Sequence, residues 1–370
     1  MQRDAFKKGK NMAPESKKNL VYELLRDDIV AGRFPVGSKL PGGLELAKRY
    51  QVAHMTVRSA MKRLAAENYV AFINGSGTFV TNRDEKPVYL ILSSNLSDFT
   101  LPGNYVVPGI QRAMALAGAQ TKLCIRDFIA QMRKTDFQKM IVREKIKGIF
   151  LVESYFRGTE PELKLLKSVD IPVVMPIAAA GDQKICPFSM IIADFEKAFA
   201  ETLLYLKKLG HCRVATINGS GWSFRGYPRE NFESLLLQNH MDGSLILDAD
   251  LTPEEIKKCV DRILAEEQTA VLCYSDFYAI EVIRELRERG LRVPEDISVM
   301  GFCGYPGGEF TVPPLSTMDL CYDTVGVMAA ELMLKSQDWF GKENVILESP
   351  HELQIRKSTR TWIEKLRKTV

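Results

Sequence analysis

Six short apolar runs constrain the fold of this chain more than any other feature: VYLILSS (88–94), KGIFLVES (147–154), IPVVMPI (171–177), RVATING (213–219), AVLCYS (270–275) and DISVMGF (296–302). None alternates apolar with polar residues, so each reads as a strand buried on both faces. Helical segments such as VGVMAAELMLKSQDWF (325–340) lie between them. Continuous strands alternating with helices imply parallel sheets covered by helices on both sides. A dozen or so such elements exceed one open sheet, so residues 88–360 are expected to form a two-lobed α/β body, with 361–370 as a tail.

Ligands of open α/β sheets bind outside the carboxyl ends of the strands, so candidate residues follow each apolar run. That places Ser94 to Phe99, Ser154 and Tyr155, Gly219 to Arg229, Ser275 and Asp276, and Cys303 to Tyr305 at one cleft. From these segments the expected effector-binding set is Asp98, Phe99, Tyr155, Trp222, Arg225, Arg229, Asp276, Cys303 and Tyr305. Carboxylates and guanidinium groups hydrogen-bond hydroxyls while flat aromatic faces cover C–H surfaces, which is what a small polyol or sugar requires.

Before Pro87 the pattern is different. Residues 1–16 have no apolar period and read as a disordered extension. Val21, Leu24, Leu25 and Ile29 then share one face of a helix over 19–31, which AGRFPVG ends, and a short helix over 44–50 follows LPGG. In AHMTVRSAMKRL (53–64), Val57, Ala60, Met61 and Leu64 line one helical face while Arg58, Ser59, Lys62 and Arg63 load the other. YVAFINGSGTFVTN reads as two strands about a glycine-rich turn. Three helices and a β-hairpin make residues 17–82 a winged helix-turn-helix, and the charged RDEKP (83–87) is the expected linker.

Charge points the same way. Residues 1–83 carry 15 lysines and arginines against 7 acidic residues, whereas the remainder carries 35 against 39. A positive field confined to the head suits a polyanion such as double-stranded DNA. In this motif the amino-terminal part of the second helix of the pair enters the major groove, here His54, Met55, Thr56, Arg58 and Ser59, with Lys62 one turn on. Arg58 suits a guanine or a phosphate, Thr56 and Ser59 suit phosphates, and Met55 a thymine methyl. Gly75, Ser76, Gly77 and Thr78 form the expected wing, and Lys39 completes the DNA-binding set.

Order and spacing over the head resemble the winged-helix domain of GntR-family regulators: Gly32 and Phe34, GSKLP (37–41), ELA (45–47), TVR (56–58) and GSGTFV (75–80). Gly42, Gly43 and Leu44 depart from the family's Ser/Thr-Glu-Arg/Asn, and Val52, Ala53 and His54 stand where it often has VSR. An uncapped helix and an altered operator preference follow. The segments 191–219 and 272–334, with the closing HELQIRKST, look like the effector domain of LacI/GalR regulators, a type I periplasmic-binding-protein fold. The pairing is similar to chimeric arabinose-type repressors. The resemblance places the acidic residue of the family's ND motif on Asp276 and the Asp after its GF on Cys303, where a thiol changes or abolishes sugar recognition. The family's cleft arginine falls on Arg225 or Arg229.

Other classes find little support. Seven scattered cysteines without a CxxC pair, and four distant histidines, favour reduced thiols and no metal site. NGSGWSFRG places Phe224 where a dinucleotide loop needs glycine, no GxxxxGK[ST] or GxSxG occurs, and no cofactor is expected. There is no apolar run of membrane-spanning length and the start is polar and basic, so a cytoplasmic location without membrane contact is expected. These readings together describe a non-enzymatic, sequence-specific transcription regulator, dimeric on a palindromic operator and acting as a repressor that a sugar controls. A cytoplasmic sugar-binding or transport component is the alternative. A DNA-tethered enzyme would need a catalytic constellation that the residues do not supply.

Overall fold

The computed structural model describes residues 14–73, 77–81, 86–94, 97–219, 227–241 and 243–362. The chain divides into two compact units, Met1–Lys86 and Pro87–Val370.

In the first unit, helix α1 (Pro14–Val30) begins inside the segment expected to be disordered. Its opening proline suits a first helical turn, where no N–H partner is needed. Helix α2 (Gly43–Arg49) starts one residue early, and Gly42 gives it no side-chain cap. Helix α3 (His54–Ala66) buries Val57, Ala60, Met61 and Leu64, the stripe its periodicity demands. These residues meet Val21, Leu25, Leu40, Leu46 and Tyr69 in one core. Strands β1 (Val70–Ile73) and β2 (Gly77–Val80) pair antiparallel. Residues 37–40 extend the hairpin, with Leu40 N–H donating to the Thr78 carbonyl at 2.8 Å and Val80 N–H to that of Ser38 at 2.9 Å.

In the second unit the first lobe starts with β3 (Val88–Ser93), α4 (Gly103–Leu116), β4 (Gln120–Ile125), α5 (Arg126–Ala130), α6 (Lys134–Arg143), β5 (Ile146–Val152), α7 (Pro161–Leu166), β6 (Val173–Ala178) and β7 (Ser189–Ala193). The chain then enters the second lobe with α8 (Phe195–Lys208), β8 (Val214–Gly219), α9 (Arg229–Gln238), β9 (Leu245–Ala249), α10 (Pro253–Ala265), β10 (Ala270–Cys273), α11 (Asp276–Glu288), β11 (Ser298–Cys303) and β12 (Ser316–Asp319). It returns to the first lobe for α12 (Tyr322–Leu334), α13 (Ser336–Trp339) and β13 (Ile346–Ser349), and ends in the second with β14 (Glu352–Gln354). The helix expected over 325–340 is therefore two, interrupted at Lys335.

Each lobe has a six-stranded sheet, in the orders β13-β7-β6-β5-β3-β4 and β14-β12-β11-β10-β8-β9. Every pair in them is parallel except β12 with β14. The chain passes between lobes three times, at Ala193–Phe195, Asp319–Tyr322 and Ser349–Glu352. Helices α4 and α12 cross with glycine against glycine: a Cβ on Gly109 would lie 2.3 Å from the Asp323 carbonyl oxygen, and one on Gly326 would lie 2.2 Å from that of Val106.

Candidate functional site

Two surfaces collect the chemistry that the sequence singles out, one on each unit. On the first, the stripe of α3 is buried, which turns His54, Met55, Arg58 and Lys62 outward as exposed side chains, with Thr56 and Ser59 half-buried between them. Met55 is 65% exposed. Arg63 does not join this face: its guanidinium lies 3.9 Å from the Tyr22 ring centre and donates to Glu67 at 3.0 Å and Asn19 at 3.1 Å, tying α3 to α1. Lys39 sits against the wing, where a Cβ on Gly77 would fall 2.6 Å from its Cε, and Gly77 has φ +120°. That φ requires glycine, whereas the end of the Lys39 side chain is flexible enough to move aside. Thr78 faces inward and is buried, so its side chain is not on the surface expected for it. Gly75 and Ser76 lie outside the described residues. A Cβ on Gly43 would meet the His54 ring at 2.9 Å, so two of the positions that depart from the family pattern pack on one another.

On the second unit, a cavity of about 370 Å³ lies between the lobes. The first lobe contributes Ser94, Thr100 to Gly103, Val152 to Tyr155 and Pro176 to Ala178, and the second contributes Leu251, Tyr274, Ser275 and Tyr278. All three lobe crossings reach it, through Ala193 and Phe195, Tyr322, and Ser349. Strand ends converge here because both sheets point their carboxyl edges at the gap. A second cavity of about 760 Å³ adjoins the first, shares Tyr155, Ala193 and Phe195, and is edged by Asp182, Asp194, Glu196 and Glu348.

The lining is rich in hydroxyls, and Glu153 is its one formally charged side chain among the described residues. Burial pushes the Glu153 carboxyl above the usual carboxylate range, with Ser94 and Arg126 opposing the shift. Arg126 approaches it at 3.6 Å but also faces Glu162 at 3.5 Å and Asp127 at 3.1 Å. The Oε1 atom of Glu153 is buried and has no hydrogen-bond partner. Beside it, Tyr155 is held at φ +63°. Buried Asp182 holds that turn, accepting the N–H groups of Tyr155 at 3.1 Å, Phe156 at 2.8 Å and Ala179 at 2.8 Å.

Of the described residues expected to bind an effector, Tyr155 alone lines the 370 Å³ cavity. Asp276 is buried behind it, accepting the Thr317 hydroxyl at 2.5 Å and the N–H of Tyr305. Burial, with Asp319 nearby, pushes its carboxyl up to about 7. Cys303 is fully buried with φ +100°, and its thiol points to the Tyr274 carbonyl at 3.7 Å. Tyr305 joins the lobes: its ring stacks on Tyr105 at 4.5 Å and its hydroxyl donates to the Thr100 carbonyl at 3.0 Å. Asp98 accepts the N–H and hydroxyl of Thr100 in a surface turn, and exposed Phe99 meets Phe277 edge-on at 5.1 Å. Arg229 is committed to Glu233 at 3.0 Å and Asp248 at 3.1 Å. Trp222 and Arg225 lie outside the described residues. Glu153, Tyr274, Tyr278, Tyr322 and Ser349 were not anticipated; the strand-end rule reaches Glu153, which closes the run KGIFLVES.

Comparison with known proteins follows the same division. Residues 17–80 match the model of bacterial regulatory proteins of the gntR family, and residues 203–359 match that of a periplasmic binding protein-like domain. Over 350 residues the chain is 28% identical to the arabinose metabolism transcriptional repressor of Geobacillus stearothermophilus, spanning 90% of this chain and 94% of the relative. It is 30% identical over 230 residues to the HTH-type transcriptional repressor PurR of Histophilus somni, spanning 60% of this chain and 67% of the relative. A LacI family transcriptional regulator from Enterococcus faecium, solved with bound ribose, superposes with a TM-score of 0.59 at 20% identity, covering 75% of this chain and all of that one. These relatives are regulators and not enzymes. The chain thus carries a gntR-family regulatory domain at its head and a periplasmic binding protein-like domain in its body, the pairing also spanned by its match to the arabinose metabolism repressor.

Proposed function

We propose that the protein is a cytoplasmic repressor whose grip on a palindromic operator is set by a small sugar-like molecule held between the two lobes. The observation that carries this reading is the hydroxyl-lined cavity touching all three lobe crossings. A molecule bound there contacts every segment that bends when the lobes move, so it binds one lobe arrangement better than another and shifts the population. An arabinose repressor among the relatives and ribose in a structural neighbour support the chemical class. The operator is read by His54, Met55, Thr56, Arg58, Ser59 and Lys62, with Lys39 and the wing residues Gly75, Ser76 and Gly77 on the backbone, and inward-facing Thr78 left out of the contact. The chain acts as a homodimer, so two heads related by a twofold meet two half-sites. Exposed Leu123, Ile125 and Phe128 along the β4 edge, and Phe310 and Val312 in the second lobe, offer apolar surface for a second copy.

The test selects binding sites from a random duplex pool with the full chain, then measures operator affinity against L-arabinose, D-ribose and other sugars. The expected result is a palindromic site that one sugar releases. Selection of a site that no small molecule affects would overturn the effector half of the proposal. Failure to enrich any sequence would overturn operator reading by the head residues named above.

A further inference from the structure

We propose that Glu153 is the residue that selects the effector, and that the effector is an uncharged polyol donating a hydroxyl to its Oε1. The inference rests on the cavity being the effector site. At the cavity wall the Oε1 atom of Glu153 is buried without a hydrogen-bond partner from the protein, a costly arrangement for a charged acceptor. Arg126 relieves it from one side only and divides itself among three carboxylates. A hydroxyl arriving from the cavity supplies the missing donor.

The charge of the described surroundings disfavours anions. Neither cavity has a lysine, arginine or histidine among its described lining residues, and the adjoining one is edged by four carboxylates, of which Glu348 pairs with Lys197 outside the lining. A sugar acid or sugar phosphate would bring its charge beside Glu153 with only Arg126, already divided among three carboxylates, to offset it. An ammonium would pair with Glu153 but cannot accept from the hydroxyls around it, so an amino sugar stands as a competing outcome of the test. Ser94, Ser154, Ser275 and Tyr274 line the same space with hydroxyls that can give and take hydrogen bonds, as sugar hydroxyls do, while Tyr278 and Ser349 donate to the Ala249 and Pro350 carbonyls and offer acceptors. Asp276 is occupied by Thr317 and Tyr305, so the acidic partner of the ligand in this chain comes from the first lobe and not the second.

The experiment is isothermal titration calorimetry of the full-length protein with L-arabinose, D-ribose, D-xylose and D-glucose, against D-gluconate, D-ribose 5-phosphate and D-glucosamine. The expected result is binding confined to a neutral sugar, weakened at least tenfold in Glu153→Gln and less in Glu153→Asp, with operator binding unchanged in both. Tighter binding of an acid, a phosphate or an amine, or unaltered affinity in Glu153→Gln, overturns this inference while leaving a sensor in the cleft. Should Glu153→Gln fail to fold, the comparison of neutral with charged sugars on the unaltered protein still decides. No heat with any of them removes the effector-site reading and this inference together.

Discussion

Arg58 leaves the buried stripe of α3 fully turned to solvent and without a protein partner in the described contacts that would explain its charge. Arg58→Ala is expected to cost about 1–3 kcal/mol of operator binding, confined to one base position if it reads a base. Fluorescence anisotropy over single-base operator variants measures it, and a uniform loss would make Arg58 a phosphate contact. Asp182 organises the Tyr155 turn through three N–H groups. Asp182→Asn forfeits the charge and faces an amide against one of those donors, so a loss of roughly 1.5–3 kcal/mol is expected in urea unfolding, together with weaker effector binding. Asp276, raised from 3.8 to about 7, keeps a proton in the folded chain that the unfolded chain has already released over that range. Its contribution to stability therefore falls as pH rises from about 4 to 7, with a slope of at most about 1.4 kcal/mol per pH unit. Asp276→Asn should flatten the pH–stability curve in that window; an unchanged slope would show that the buried carboxyl does not titrate there. The outward face of α3 was legible because helical period and burial are one property. The cleft was less so: the rule that sites follow strands finds the right neighbourhood, but which side chain turns to the cavity depends on pairings such as Thr317 with Asp276, 41 residues apart.

Elements show the same division. The six apolar runs became the strands β3, β5, β6, β8, β10 and β11, the inner part of each sheet, where both faces are covered. Strands β4 and β9 lie at sheet edges, with residues such as Lys122 and Asp248 exposed, and so lack a continuous apolar signal. Strand β12, STMD, is buried yet polar because Ser316 and Thr317 are hydrogen-bonded to Thr359 and Asp276, a pairing invisible locally. The crossing of α4 and α12 yields a sharper prediction. Gly109→Ala or Gly326→Ala drives a methyl into a backbone carbonyl and should cost about 1–3 kcal/mol, lowering the melting temperature. A melting temperature that does not move would mean that the helices separate freely at this point.

For the whole molecule, Tyr305 is the side chain whose loss best tests lobe coupling, since it stacks on one lobe's Tyr105 and donates to that lobe's Thr100 while standing on the other. Tyr305→Phe keeps the stack and removes the hydrogen bond, worth about 0.5–1.5 kcal/mol to this arrangement of the lobes. Effector affinity should fall severalfold, and small-angle scattering should show less closure at equal ligand concentration; no change in either would detach Tyr305 from the motion. The triple crossing has a consequence for synthesis. The first lobe begins at Val88, yet α12 and its edge strand β13 are encoded after nearly all of the second lobe. A ribosome emitting this chain completes the second sheet as far as β12 while the first lobe still lacks two helices and a strand. The first lobe thus waits on the tunnel with the β7 edge unpaired and the α4 glycine face uncovered, an interval in which pairing with another nascent chain competes with folding.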